Sequence, residues 1–131
     1  MEGMTIVPYS EEHIEAIQEL NKTENWTQLV ERNEETRNAW KNSNVAYVLV
    51  KDNSVAGYVR GLSDGYVTLY ICEMLIAKPY RGLGLGSKLL KFVHARYPRT
   101  RMEMLASSSS HTFYESQKFR PFYGFRKTYE E

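Results

Sequence analysis

The sequence predicts an α/β domain built on a mixed sheet. Three observations carry that expectation. Two β-rich runs, residues 45–50 and 55–60, are joined by Lys51-Asp52-Asn53-Ser54 and read as a hairpin. A longer apolar strand, residues 66–76, passes through a glycine-rich turn into a helix. After that helix, residues 102–106 read as a strand that pairs in parallel through the helical crossover. At 131 residues, 42% of them apolar, the chain is expected to form one domain over residues 1–131 with a proper core.

The remaining elements follow in order. Residues 4–7 suit a first strand. Ser10 can cap a helix from Glu11, with Glu11 and Glu12 in its first turn and Ile14, Ile17 and Leu20 as its apolar stripe. His13 reads as a solvated polar residue. Residues 21–44 are polar and read as a loop followed by a single helix over 27–42. Glu24, Glu31, Glu34 and Glu35 there suit a solvated face, or one or two of them a cationic substrate. Ser63-Asp64-Gly65 marks a turn. The helix after the glycines turns Leu85, Leu89, Leu90, Val93 and Tyr97 to the core, and Pro98 closes it. Ser109 or Ser110 can cap a helix over 111–118. Residues 120–131 alternate aromatic and polar side chains around Gly124 and read as a last hairpin or strand.

Composition narrows the function. A net charge of +1 gives no electrostatic argument for nucleic acid or an acidic membrane. The single cysteine, Cys72, excludes an internal disulfide and fits a reducing compartment. No leader pattern and no run of membrane-spanning length is visible, so the expected location is cytoplasmic. The three histidines are scattered, without metal-site spacing.

The informative stretch is residues 71–92. After the strand come Lys78-Pro79-Tyr80, then Arg81-Gly82-Leu83-Gly84-Leu85-Gly86, then a helix from Ser87. A helix start offers unpartnered N–H groups and the positive end of the helix dipole, and glycines let a phosphate approach them. Arg81 adds a cation suited to phosphate oxygens. A P-loop would require Gly at position 87, where Ser87 stands. A dinucleotide fingerprint would also require a third glycine there, and its acid, Glu103, falls inside a strand. The third pattern, Arg/Gln-x-x-Gly-x-Gly/Ala, is met by Arg81, Gly84 and Gly86.

With its flanks, PYRGLGLGSKLL resembles the acyl-CoA-binding motif of the GNAT acyltransferase superfamily. The resemblance is specific from about residue 66 to 125 and architectural before that. It implies a GNAT-like fold, a mixed and mostly antiparallel sheet flanked by about four helices. It implies that Met74, Leu75 and Ile76 at the strand's end bind the pantetheine amides of acetyl-CoA. The pyrophosphate would then lie on Arg81, Gly82, Leu83, Gly84, Leu85, Gly86 and Ser87. The family pattern Asn…Phe-Tyr-Glu-x-x-Gly-Phe is met by Ser107…Phe113-Tyr114-Glu115-Ser116-Gln117-Lys118-Phe119, with Ser107 and Lys118 as departures.

The chemistry implied is direct acetyl transfer to a primary amine. An alkylamine with a pKa of about 10.4 lies about 4 kcal/mol from its neutral form near pH 7.5, so a base is needed. Glu73, a lone acid in an apolar run, is the expected base; the alternative is a carboxylate paired with a neighbouring Arg or Tyr. Tyr114 matches the family's acid, which protonates the departing thiolate; the alternative is a core aromatic. Cys72 is expected to alternate off the Glu73 face, without partners for a nucleophile. Residues 21–44 and 120–129 should wall a pocket for a small cationic amine such as a polyamine or aminoglycoside. Resemblance to the family also implies a homodimer paired near its C-terminus. The competing reading is a domain that senses acyl-CoA without turnover.

Overall fold

The computed structural model describes residues 3–107 and 109–131. Met1, Glu2 and Ser108, the second residue of the serine run, lie outside the described residues. Five strands form one sheet in sequence order: β1 (Met4–Pro8), β2 (Val45–Lys51), β3 (Ser54–Ser63), β4 (Thr68–Ile76) and β5 (Arg101–Met104). The first four are antiparallel neighbours, and β4–β5 is the parallel pair that the crossover predicts. The helices are α1 (Ile14–Thr23), α2 (Thr27–Glu31), α3 (Asn33–Lys41), α4 (Leu85–Arg96) and α5 (His111–Ser116).

Two apolar layers sandwich the sheet. On one face Ile14 and Ile17 of α1 and Trp40 of α3 pack on Val48, Tyr58 and Leu75. Trp40 stacks on Tyr9 (4.7 Å between ring centroids) and meets Tyr58 edge-on at 5.3 Å. On the other face Leu89, Leu90 and Val93 of α4 pack on Val45, Val59, Leu69 and Ile71. The α4 stripe is therefore the one its spacing predicts, with Tyr97 only partly buried. The β2–β3 connection is tight: Asp52 (φ 50°) and Asn53 (φ 66°) both take the left-handed conformation of a two-residue hairpin turn.

The single helix expected over 27–42 is two helices. Leu29's carbonyl accepts from the Thr36 hydroxyl (2.6 Å) and the Gln18 side-chain amide (2.9 Å). Those side chains take the acceptor that a continuous helix would give to the N–H four residues on, and the chain turns at Arg32.

The expected C-terminal strand is absent among the described residues. Residues 120–131 form no ladder, and Phe122, Tyr123, Phe125 and Tyr129 stand 83–102% exposed. Alternation gives a strand only where one face can be buried, and here neither layer reaches the tail. Helix α5 nevertheless closes as a glycine would close it. Lys118 takes φ 69°, its N–H reaches the Glu115 carbonyl (3.0 Å), and the Phe119 N–H reaches that of Tyr114 (3.1 Å).

Lys118→Gly should therefore stabilise the protein by about 1 kcal/mol, the cost of a side chain in that conformation, seen as a melting temperature raised by about 4 °C. A second expectation concerns the β3–β4 turn, where the Asp64 carboxylate accepts from the N–H groups of Tyr66, Val67 and Thr68 at 2.8–3.0 Å. The N–H groups of Val67, Thr68 and Tyr66 hold its pKa down at about 2. Asp64→Asn should cost stability above the unfolded carboxyl value of about 3.9, and the difference should vanish as pH falls through about 2. Thermal melts of both proteins at pH 6 and pH 2 check it.

Candidate active site

The β4–β5 ladder begins at Thr68↔Arg101 and ends at Ile71↔Met104. On its other side β4 slips register against β3: Gly61 faces Ile71, Arg60 faces Glu73, and Cys72 is the extra residue of a bulge. Gly61 permits it, because a Cβ there would fall 2.5 Å from the Tyr70 carbonyl oxygen. Beyond the bulge β4 runs on through Ile76, and among the described residues no strand pairs on its β5 side. The Ala77 N–H bonds the Ala56 carbonyl (2.8 Å). Backbone groups alternate along an extended strand, so the peptides of Glu73 and Leu75 face β3 and those of Met74 and Ile76 face the opening. Of the three residues expected to hold pantetheine, Met74 and Ile76 thus offer backbone groups, whereas Leu75 supplies a buried side chain to the opposite layer.

The glycine turn follows at once. Gly84 caps α4 with φ 76°, the left-handed conformation that a residue with a Cβ rarely adopts, and a Cβ there would meet open space. The first α4 bond runs from the Lys88 N–H to the Gly84 carbonyl (3.1 Å). The N–H groups of Leu85, Gly86 and Ser87 therefore precede the helix ladder, and no side chain caps them. The helix starts two residues before Ser87, which brings those N–H groups onto the turn itself. The Leu85 side chain is buried beside Met4, Leu49 and Ala56, while Leu83 is half exposed. Gly86 packs where β4 and α5 meet: a Cβ would lie 3.3 Å from both Met74 Cε and Phe113 Cζ. Arg81 does not point into the turn. Its Nε donates to the Ile76 carbonyl (2.7 Å) and its Nη2 to Glu24 Oε1 (2.7 Å).

Helix α5 carries Tyr114 on the α4 side of the sheet. The ring lies edge-on to Phe113 (5.1 Å) and Phe119 (5.6 Å), packed against the α4 layer. Burial pushes the phenol pKa above its usual 10, which keeps the proton on. Ser107 organises the start of α5: its carbonyl accepts from the N–H groups of Ser110 (3.2 Å) and His111 (3.1 Å), and its hydroxyl lies 3.0 Å from that of Ser109.

Glu73 projects to the opposite face of the sheet, where Arg60 holds both its oxygens. Nε to Oε1 and Nη2 to Oε2 are each 2.7 Å, and the two side chains are 14% and 18% exposed for Arg60 and Glu73. Arg60 Nη1 also donates to Ser43 Oγ (3.1 Å), tying the pair to the end of α3. A fork of this kind is a strong pairing and leaves only the outer lone pairs of the carboxylate free. Arg60 was invisible as a site residue in the sequence; the hairpin register would have suggested it, had the bulge been legible. The bulge also keeps Cys72 near Glu73, since the thiol feels the charges of both Arg60 and Glu73, but burial pushes its pKa up. Among the described residues no three His, Cys, Asp or Glu side chains converge as metal ligands. No described helix is long and apolar enough to cross a membrane.

The sequence matches the family described as the acetyltransferase (GNAT) domain over residues 6–130. The chain belongs to the GNAT acetyltransferase family. It is by membership an N-acetyltransferase, and acetyl-CoA is its acyl donor. No curated protein sequence matches it. Solved structures share the GNAT fold at low identity. A GNAT-family acetyltransferase from Streptococcus pneumoniae is 20% identical with a TM-score of 0.80, covering 98% of this chain and 99% of that one. An aminoglycoside N-acetyltransferase in complex with CoA is 13% identical with a TM-score of 0.72, covering 95% and 94%. An Arabidopsis thaliana protein bound to a CoA bisubstrate analogue is 16% identical with a TM-score of 0.64, covering 88% and 82%.

The GNAT turn can be tested without disturbing the core. Gly84→Asn tolerates the left-handed conformation but places an amide in the open space before α4 and over its free N–H groups. CoA affinity measured by calorimetry should fall by about tenfold or more, with a melting temperature within about 2 °C of wild type. Gly86→Val would press on Met74 and Phe113 and is expected to lower stability as well.

Proposed function

We propose that the opening beside β4 is the acetyl-CoA site and that this chain acetylates a small cationic primary amine. The observation that carries the reading is continuity. The outward peptides of Met74 and Ile76 lead directly into the turn at Gly82–Ser87, and Tyr114 stands on the same side of the sheet. In this reading the pantetheine arm adds to β4 as a short extra strand does. The diphosphate lies on the N–H groups of Leu85, Gly86 and Ser87, with Gly82, Leu83 and Gly84 shaping the approach. Ser107 borders the arm as a hydroxyl in place of the family's Asn.

Tyr114 donates its proton to the thiolate leaving the tetrahedral intermediate; its raised pKa keeps the donor charged with a proton over the working pH range. Glu73 accepts the ammonium proton through a water on its free lone pairs, and the Arg60 fork keeps the carboxylate oriented. The bond formed is amine nitrogen to acetyl carbon, and the bond broken is carbon to sulfur. The acceptor enters on the α1–α3 face. There a hollow of about 440 Å³, lined by Asn42, Asn44, Leu62, Ser63, Asp64, Thr68 and Tyr70, lies one step along the sheet from Arg60 and Glu73. Carboxylates on that face and the likeness to an aminoglycoside N-acetyltransferase fold support a polyamine or aminoglycoside-like acceptor.

In the same proposal residues 1–131 form one catalytic domain that works in the cytoplasm. Two copies pair near the C-terminus, where Phe122, Tyr123, Phe125 and Tyr129 offer a large apolar surface.

Free thiol released from acetyl-CoA over a panel of amines tests the chemistry. Wild type should turn over with at least one amine, and Tyr114→Phe should be slower by about tenfold or more. Glu73→Gln should lose a similar factor near pH 7.5 and recover above about pH 10, where the amine arrives neutral. A Glu73→Gln loss that stays constant with pH would assign Glu73 a structural role instead.

A further inference from the structure

The Arg81 side chain reaches from the glycine turn to the end of α1. Its Nη2 meets Glu24 Oε1 at 2.7 Å over a separation of 57 residues. Glu24 is held there deliberately by the end of α1. Asn25 takes φ 64°, its N–H bonds the Lys22 carbonyl (3.1 Å), and the Trp26 N–H bonds that of Asn21 (2.9 Å). This closure fixes the direction of the residue before Asn25. Glu24 directly follows α1, the helix whose Ile14 and Ile17 pack on the sheet face where Glu73 stands.

We propose that the Arg81–Glu24 pair is a latch that couples the two substrate sites. Diphosphate arriving on the turn competes with Glu24 for the guanidinium, and two or more phosphate charges outbid one carboxylate. As Arg81 swings, its Nε leaves the Ile76 carbonyl, which becomes free for a pantetheine amide N–H. Glu24 is then a carboxylate without a counter-ion on the acceptor wall, and the ammonium end of a cationic amine restores the balance. Cofactor binding thereby creates the subsite for the acceptor's cation. Coupling of this kind is reciprocal, so the amine also tightens the hold on CoA. The inference rests on the acetyltransferase reading above and adds to it an order of assembly and a residue that selects cationic acceptors.

Calorimetric titration of CoA alone into wild type and Glu24→Gln separates the latch from a strut. A latch predicts that Glu24→Gln binds CoA about two- to fivefold more tightly, the worth of a partly exposed ion pair that no longer has to be broken. With the amine that the thiol-release panel selects, the same variant should raise KM for the amine while lowering KM for acetyl-CoA. Loss of a structural prop moves both constants upward. Amide exchange over residues 24–28 should speed up in wild type when CoA is added. Weaker or unchanged CoA binding by Glu24→Gln, KM values moving together, or slower exchange on adding CoA would each overturn the latch and leave the CoA site standing. Failure of wild type to bind CoA at all would remove the site and the latch with it.

Discussion

The structure depends on where β4 stops being paired. Four residues of parallel ladder hold β4 to β5, and then the bulge at Cys72 turns β4 away while its bonds to β3 continue. Had the ladder run to Ile76, every peptide of the strand would be consumed within the sheet and nothing could be added. Because it stops at Ile71, Met74 keeps outward N–H and C=O groups, and Ile76 keeps an outward N–H and a carbonyl that only the Arg81 side chain engages. A ligand bearing amides can satisfy such groups, and the pantetheine arm bears two. The close approach at Gly61 makes the bulge sterically allowed, so one missing Cβ on β3 underlies an opening on the far side of β4.

Charge is arranged around that opening with equal economy. Two carboxylates on the α1–α3 side each have an arginine: Glu73 has Arg60, and Glu24 has Arg81. The pairs differ in how they are held. Arg60 grips Glu73 through two parallel bonds at low exposure, a geometry that fixes both side chains. Arg81 gives Glu24 one bond and spends its other on a backbone carbonyl, with 40% of its side chain exposed. The first pair suits a group that has to stay still. The second suits a group that changes partner.

Much of this was legible in the sequence, and the limits have physical causes. The hairpin, the strand–turn–helix around Gly84 and the α4 core stripe are local patterns whose residues decide their own conformation. The break at Arg32 is not local, because it comes from Gln18 reaching across from α1 to capture Leu29's carbonyl. The bulge was hidden for a related reason: a run such as Ile71-Cys72-Glu73-Met74 does not say which residue will be left out of register. Pairing of Glu73 with an Arg or Tyr was legible as the alternative, but the hidden register left Arg60 unnamed, and Cys72 was expected away from Glu73, whose charge its thiol feels. Arg81 was legible as a cation beside the turn but not as one already engaged.

The C-terminal tail shows the same boundary from the other direction. Its alternation of aromatic and polar residues is a real β pattern, yet alternation specifies only that two faces differ. A strand also needs an edge to pair with and a layer to bury its apolar face. The edge strand beside the tail is β5, only four residues long, and Gly124 lies against Leu105 just past its last paired residue. Pro121 has no N–H to offer a ladder there. Four large rings are left in solvent next to an unpaired edge, more than a stable monomer surface usually carries. The pattern in the tail is therefore complete in sequence and incomplete in space, lacking both an edge to pair with and a layer to bury its rings.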